Sequence, residues 1–369
     1  MDSSAGQLKK VNEGDLNEFR DWDFLIINRY PPGGSIYRFS LDLFETLSSK
    51  SELINLKFQA NGWETMHIGK DFPSVFNSAF LNHIFLNFSF RQAVKYVERL
   101  KDEKKNLVLH YSNQFSGTLR VKGIKEIIEV HDSPNYIETG SLAIKLYMKR
   151  LYNSLTNKEW VVTNTEVLKH ELIDFGFTGN IRAIHLPYSP VFKKIDVTKE
   201  NLRKELGLPQ DKKIIISVSS DLPRKNLSTI REVMKKLGDS YILVRVGTQL
   251  WNSITFNGID DTTLNKLYNA SDVLLFPSLY EGFGLPIIES FAAGLPVVTS
   301  DIPTIREVAG DAAILVNPKD VDGIAECIKE AVEEREKLIS RGFERAMEFS
   351  NIKFRERILK LYSDVTRSN

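Results

Sequence analysis

The 369-residue chain predicts an α/β protein of two doubly wound, Rossmann-like domains, and three observations carry that prediction. Its length exceeds what one hydrophobic core ordinarily organises. Short apolar runs alternate with helical periodicities, the pattern of right-handed crossovers in a mainly parallel sheet. The alternation breaks once, around Leu186-Pro187-Tyr188-Ser189-Pro190, and then starts afresh.

The residues before Arg20 are polar and charged and read as a loose extension or a short surface helix. Phe24 to Ile27 is the first buried strand, leading into the turn-rich segment Asn28 to Ser35 and an amphipathic helix through Phe39, Leu43 and Leu47. Further strands are expected at Leu53 to Phe58, Leu107 to Leu109, Ile127 to Val130, Trp160 to Val162 and Ile181 to Ile184. Helices are expected at Phe90 to Leu100 and Ala143 to Leu155. Prolines on both sides of Tyr188 suit a linker, so the first domain is placed at 1–187 and the second at 188–349. Strands of the second domain are expected at Lys213 to Val218, Tyr241 to Val246, Ile254 to Phe256, Val273 to Phe276, Pro296 to Thr299 and Ala313 to Val316. A last helix, Ser350 to Val365, aligns Phe354, Ile358, Leu361 and Val365 on one stripe.

The formal net charge of +1 argues against a nucleic-acid binder, which ordinarily carries a basic face. Cys327 is the single cysteine, so neither an intrachain disulfide nor a thiolate metal cluster forms. Met1 to Gly6 has no apolar core, and no run approaches the roughly 18 apolar residues of a membrane span. A cytoplasmic location is therefore expected. The basic, amphipathic stretch Ala143 to Tyr152 is compatible with peripheral contact at the inner membrane face, but reads first as a crossover helix.

The densest chemistry lies in Leu279-Tyr280-Glu281-Gly282-Phe283-Gly284-Leu285-Pro286-Ile287-Ile288-Glu289. It follows the buried strand Val273 to Phe276, so Glu281 falls at a strand's C-terminal edge, where open α/β sheets bind ligands. Pro286 fits the first position of a helix and Gly294 its end, which puts Glu289 on the opening turns. Gly282 and Gly284 let the backbone approach an anion beside the positive end of that helix. Two carboxylates beside an anion cradle suit a ligand with hydroxyls and phosphates, such as a nucleotide sugar.

These residues, with Ser290 to Val298 and Glu307 to Asp311, resemble the E-x7-E signature of the retaining glycosyltransferases of family four, the group 1 nucleotide-sugar transferases. The resemblance covers most of the second half and is fainter in the first. It implies the GT-B fold, two Rossmann-like domains facing across a cleft, with a terminal helix (350–369) crossing back onto the first domain. It further implies that Glu289 receives the ribose hydroxyls and Glu281 the transferred hexose, while Gly282, Phe283, Gly284 and Leu285 border sugar and diphosphate.

Ser219 to Leu227 follows the first strand of the second domain and opens a helix at Asn226 to Leu237. A lysine there is well placed for a diphosphate, and the resemblance assigns Lys225 that role. The resemblance also implies an arginine about five residues earlier, where this chain has Ser220. Arg224 is a candidate substitute, although adjacent side chains ordinarily diverge and an exposed turn accounts for it equally. In the first domain, Gly33 and Gly34 occupy the place of a glycine-rich loop. His131, after Ile127 to Val130, looks like the strand-end histidine that contacts the donor sugar. His110 is a weaker candidate, and His185 reads as packing.

Gly282-Phe283-Gly284 lacks the third glycine of a dinucleotide fingerprint, and no G-x-x-x-x-G-K-[ST] or H-E-x-x-H occurs. Asp21-Trp22-Asp23 resembles a metal-holding pair but precedes the first strand, away from the ligand edge. No metal is expected and no cofactor is implied beyond the donor itself, a GDP- or UDP-hexose of mannose or glucose type. A saccharide or lipid-linked hydroxyl is the expected acceptor. The alternatives are a non-catalytic sugar-nucleotide-binding or scaffold protein of the same fold, which Ser220 favours, and a hydrolase using two acids. Oligomeric state is not encoded in any of these features.

Overall fold

In a computed structural model of the chain, the described residues are 17–28, 35–47, 51–56, 71–72, 97–104, 106–115, 121, 123–136 and 142–368. They fall into two units, Met1–His185 with Phe354–Asn369, and Leu186–Lys353.

In the first unit the strands are β1 (Asp23–Asn28), β2 (Ser51–Leu56), β3 (Asp71–Phe72), β4 (Leu107–Tyr111), β5 (Lys125–Val130), β6 (Trp160–Thr163) and β7 (Asn180–Ala183). Among the described residues they form one sheet in the order β3-β2-β1-β4-β5-β6-β7, parallel throughout. The second strand begins earlier than the apolar run suggests, because Ser51 already pairs with Phe24 of β1. Residues 97–103 are helical, while the rest of the expected Phe90 to Leu100 helix lies outside the described residues. The basic stretch forms the helix Leu142–Leu155, burying Leu151, Tyr152 and Leu155. A helix not singled out in the sequence, Glu166–Phe175, is capped by the Thr165 hydroxyl accepting the Leu168 N–H.

The terminal helix, Asn351–Arg367, buries the expected stripe plus Tyr362. Phe354 meets Phe39 at 5.4 Å between ring centroids, and Tyr362 meets Phe24 at 4.7 Å. The Lys125 ammonium donates to the Val365 carbonyl at 2.9 Å, near the end of that helix. Asp23 of the Asp-x-Asp pair forms an ion pair with Lys104 at 3.1 Å. It is the first residue of β1, one place earlier than the apolar run suggests.

In the second unit the strands are β8 (Lys213–Val218), β9 (Tyr241–Val246), β10 (Ile254–Phe256), β11 (Val273–Phe276), β12 (Val297–Ser300) and β13 (Ile314–Val316). Their order is β10-β9-β8-β11-β12-β13, again parallel. Ile215, Val273, Leu275 and Val298 form a core with Ile230 and Val233 of helix Leu227–Leu237 and Ile324 and Ile328 of helix Val321–Glu333. Chain order reverses between β8 and β11, so the loops after these two strands share the sheet's switch point. That is where doubly wound sheets open a ligand crevice.

Candidate functional site

Four residues shape the loop after β8. Pro223–Lys225 makes a single 3-10 turn, and Asn226 then adopts a left-handed conformation with φ 57°. Asparagine tolerates that region better than most residues do. Its amide donates to the Pro277 carbonyl at 3.0 Å and the Pro318 carbonyl at 2.7 Å, and its Oδ1 accepts from Thr229 at 2.8 Å. The helix therefore begins at Leu227 rather than Asn226, and Lys225 closes the turn before it. The Leu279 N–H donates to the Arg224 carbonyl at 2.7 Å, which ties this loop to the one after β11.

Across that tie Glu281, only 5% exposed, receives the Lys225 ammonium at 2.6 Å. The Arg224 guanidinium reaches its other oxygen at 3.5 Å and the Tyr280 carbonyl at 3.5 Å. The expectation that Arg224 and Lys225 diverge is thus corrected. The tight turn swings both cations onto one carboxylate. Lys225 also lies 5.4 Å from the Phe276 ring centroid, an attractive cation–ring placement.

After Glu281 the chain passes Gly282 to Phe283, whose buried ring packs edge-on against Phe349 at 5.8 Å. Gly284, at φ 105°, caps the helix Leu285–Ala293. A Cβ there would need a rare backbone conformation and would crowd Ile305 and Ile287 at 3.1 and 3.2 Å. Leu285 takes the first helical position and Pro286 the second, one place later than expected; Gly294 ends the helix. Glu289, 5% exposed, accepts the Tyr268 hydroxyl at 3.0 Å. Burial first, then the Glu289 charge, holds the Tyr268 phenol well above its ordinary range.

Sequence reasoning passed over Tyr268 and Arg245. Tyr268 sits on an ordinary amphipathic helix, Asp261–Ala270, and nothing in its spacing marks its partner. Arg245 did carry a signal, a charge inside the otherwise apolar Tyr241-Ile242-Leu243-Val244-Arg245-Val246. Its side chain is fully buried and donates to the Ser217, Val246, Ser219 and Ser220 carbonyls. Ser220 therefore enters the site through its backbone.

In the first unit His131 is 6% exposed. Its Nε2 lies 2.8 Å from the Ser112 carbonyl, an acceptor only, so Nε2 donates there. Its ring meets Phe39 edge-on at 5.7 Å. His110 bridges Tyr362 at 2.7 Å and Glu129 at 2.8 Å in a sealed network, which makes it a scaffold residue. Gly33 and Gly34 lie outside the described residues. The structure thus brings Arg224, Lys225, Glu281 and the Gly282–Leu285 segment together in the second unit, with Glu289 on the following helix. His131 belongs to the first.

No group of three or more metal-ligating side chains occurs among the described residues. No helix among them is long and apolar enough to cross a membrane.

Residues 198–345 match the family model described as glycosyl transferases group 1. The O-antigen chain mannosyltransferase B of Escherichia coli is 41% identical over 95 residues, 25% of this chain and 25% of that protein. The O-antigen chain mannosyltransferase RfbU of Salmonella typhimurium is 27% identical over 249 residues, 62% of this chain and 67% of that one. The similarity therefore spans only a quarter of the first relative. Among solved structures, the sucrose-phosphate synthase of Thermosynechococcus elongatus superposes with a TM-score of 0.77 at 18% identity, covering 94% of this chain and 99% of that one. HepE of Anabaena, in complex with UDP and glucose, gives 0.75 at 16% identity, covering 93% and 99%. The chain has the GT-B fold, and its residues 198–345 are similar to the group 1 glycosyltransferases.

Proposed function

We propose that the protein is a retaining hexosyltransferase. It would move a mannose- or glucose-type sugar from a nucleoside-diphosphate donor to a hydroxyl of a saccharide or lipid-linked acceptor. The observation that carries this reading is the Lys225–Glu281 contact at 2.6 Å on the switch-point edge of the second sheet. A cation for a diphosphate and a carboxylate for sugar hydroxyls are held there by loops that lock each other.

In this reading Lys225 and the N-terminal end of helix Leu285–Ala293 stabilise the charge that develops as the donor's C1–O bond breaks. Glu289, oriented by Tyr268, receives the ribose diol. Glu281 orients the hexose and keeps Lys225 in place until a diphosphate competes for it. The acceptor oxygen bonds to C1 from the face the diphosphate leaves, and its proton passes to the departing phosphate oxygen. His131 remains a catalytic candidate. Side chains and helix ends take the part a metal plays in other transferases, so a chelator should leave transfer unchanged. The mannosyltransferase relatives favour a mannose-type sugar, and the UDP complex of HepE keeps a uridine donor beside a guanine one.

Incubation with GDP-mannose, GDP-glucose and UDP-glucose, with and without saccharide acceptors, tests the proposal through released nucleoside diphosphate and glycosylated product. Binding of GDP or UDP without product from any acceptor would favour the second reading, a sugar-nucleotide-binding scaffold, for which Ser220 in place of an arginine speaks.

The helix Leu142–Leu155 supports peripheral membrane contact. Leu142 and Leu146 are 70% and 50% exposed beside Lys145, Lys149 and Arg150, and the helix contains no acid. Co-sedimentation with anionic vesicles, lost in a Leu142→Glu, Leu146→Glu variant, is the expected result.

A further inference from the structure

The Arg245 guanidinium is the one buried arginine among the described residues with a fully enclosed side chain, at 0% exposed, and it has no acid within ion-pairing distance. Arg203, the comparable case, is matched to Asp272 at 2.7 Å. Arg245 instead donates through Nη1 to the Ser217 carbonyl at 3.1 Å and the Val246 carbonyl at 2.6 Å. Through Nη2 it contacts the Ser219 carbonyl, the Ser219 hydroxyl at 3.1 Å and the Ser220 carbonyl at 3.2 Å. Its Nε has no hydrogen-bond partner. Burial, opposed by the Asp221 charge, lowers the guanidinium to about 10, so it remains a cation at neutral pH. A buried charge without a counter-charge is costly to keep.

The carbonyl contacts have a geometric corollary. In a trans peptide the C=O of one residue and the N–H of the next point in opposite directions, and the chain contains no cis bond among its described residues. Ser219 and Ser220 turn their carbonyls inward onto Arg245, so the N–H groups of Ser220 and Asp221 face outward. The Ser219 N–H bonds to the Val246 carbonyl at 3.2 Å, but neither of the next two has a partner among the described residues. Both residues are exposed, at the C-terminal edge of β8, two and three positions before the turn that carries Arg224 and Lys225. Successive outward N–H groups over a cation are the elements of a backbone anion nest. Gly247, at φ 133°, permits the close packing: a Cβ there would stand 2.3 Å from the Ser219 carbonyl and 2.9 Å from Arg245.

We propose that the Ser220 and Asp221 N–H groups form a phosphate-binding nest built and charged from beneath by Arg245, which acts as a positioning residue for the donor diphosphate. The inference rests on the nucleotide-sugar reading of the same site and adds a subsite to it. The Asp221 charge acts on Arg245 as well, so a phosphate on the nest competes with that carboxylate for the same cation.

Calorimetry with inorganic pyrophosphate, GDP and the nucleoside guanosine tests the inference on wild-type, Arg245→Gln, Arg245→Lys and Lys225→Ala proteins. Arg245→Gln should weaken pyrophosphate and GDP about tenfold and leave guanosine within twofold, while Arg245→Lys, which keeps the charge, should stay within threefold for all three. Equal losses for guanosine and pyrophosphate would mean that Arg245 only supports the fold, and wild-type affinity in Arg245→Gln would overturn the nest outright. Should Arg245→Gln fail to fold, amide resonances of the wild-type protein decide: Ser220 and Asp221 N–H signals must move downfield on addition of pyrophosphate, and static signals sink the proposal. Wild-type protein that binds neither GDP nor UDP would instead defeat the nucleotide-sugar reading itself. Lys225→Ala losing affinity while Arg245→Gln does not would leave that reading standing and remove only the nest.

Discussion

Each unit buries a glutamate beside a nitrogen donor, and the two clusters differ in what they leave unfinished. In the first unit Glu129 receives His110 Nε2–H at 2.8 Å, and the Tyr362 hydroxyl donates to Nδ1 at 2.7 Å. All three residues are 0–1% exposed. Burial, then the Glu129 charge, holds the Tyr362 phenol well above its ordinary range, so it stays a donor. Every proton in that chain has an acceptor, and the product is rigidity. In the second unit Glu281 receives Lys225 at the end of the sheet, with side chains 6% and 11% exposed. Lys225 brings three N–H donors, of which one is committed to Glu281. Similar chemistry thus serves as a rivet in one place and as an exchangeable contact in the other.

The largest test of that contrast is His110→Phe, which strips Glu129 of its donor in a sealed site. Denaturant unfolding should register a loss of about 3–5 kcal/mol, with GDP affinity unchanged in the protein that remains folded. A parallel loss of affinity would mean the rivet also serves the ligand. Next comes Lys225→Ala, expected to weaken GDP by about 1.5–3 kcal/mol in calorimetry with the unfolding midpoint nearly unmoved. Glu281→Gln should have the opposite sign, keeping or tightening GDP while lowering product formation, because it frees Lys225 from a competing anion. Matching losses in both variants would show that the pair acts as a structural rivet after all.

A smaller effect is expected of Tyr268→Phe, about 0.5–1.5 kcal/mol in GDP affinity, through a Glu289 no longer held in one rotamer. The smallest is acid sensitivity at Asp272, a site where burial and pairing oppose each other. Burial pushes this carboxyl up, but Lys199 at 2.8 Å, the Ile214 N–H at 2.6 Å and Arg203 outweigh it, and its net shift is downward. A depressed carboxylate contributes stability above its unfolded value of about 3.9, and that stability is lost as pH falls through the lower folded value. Asp272→Asn should flatten the acid limb of the unfolding curve.

Much of the fold was legible because buried parallel strands are nearly continuous apolar runs. Lys213 to Val218, Tyr241 to Val246, Ile254 to Phe256 and Val273 to Phe276 appear with the expected bounds. Strand β3 was not legible, since two residues have no period, and Ser51 of β2 is fixed by its partner strand rather than by its own apolarity. The residues around Glu281 were legible because glycine, proline and acid positions are local. The Arg224 contact was not, because it depends on Asn226 turning left-handed and on the carbonyl tie to Leu279. Tyr268 and Arg245 find their partners 21 residues and 25 to 28 residues away, across sheet and helix, where spacing is silent.

The Tyr362–His110 bond joins residues 252 positions apart. The sheet of the first unit is therefore sealed by a stretch of chain made only after all of Leu186–Lys353, which is continuous. Synthesis order and maturation order are inverted: the half made first is finished last. Until that helix is made, its apolar face awaits Phe354, Ile358 and Leu361, and that interval is when a chaperone has the most to protect.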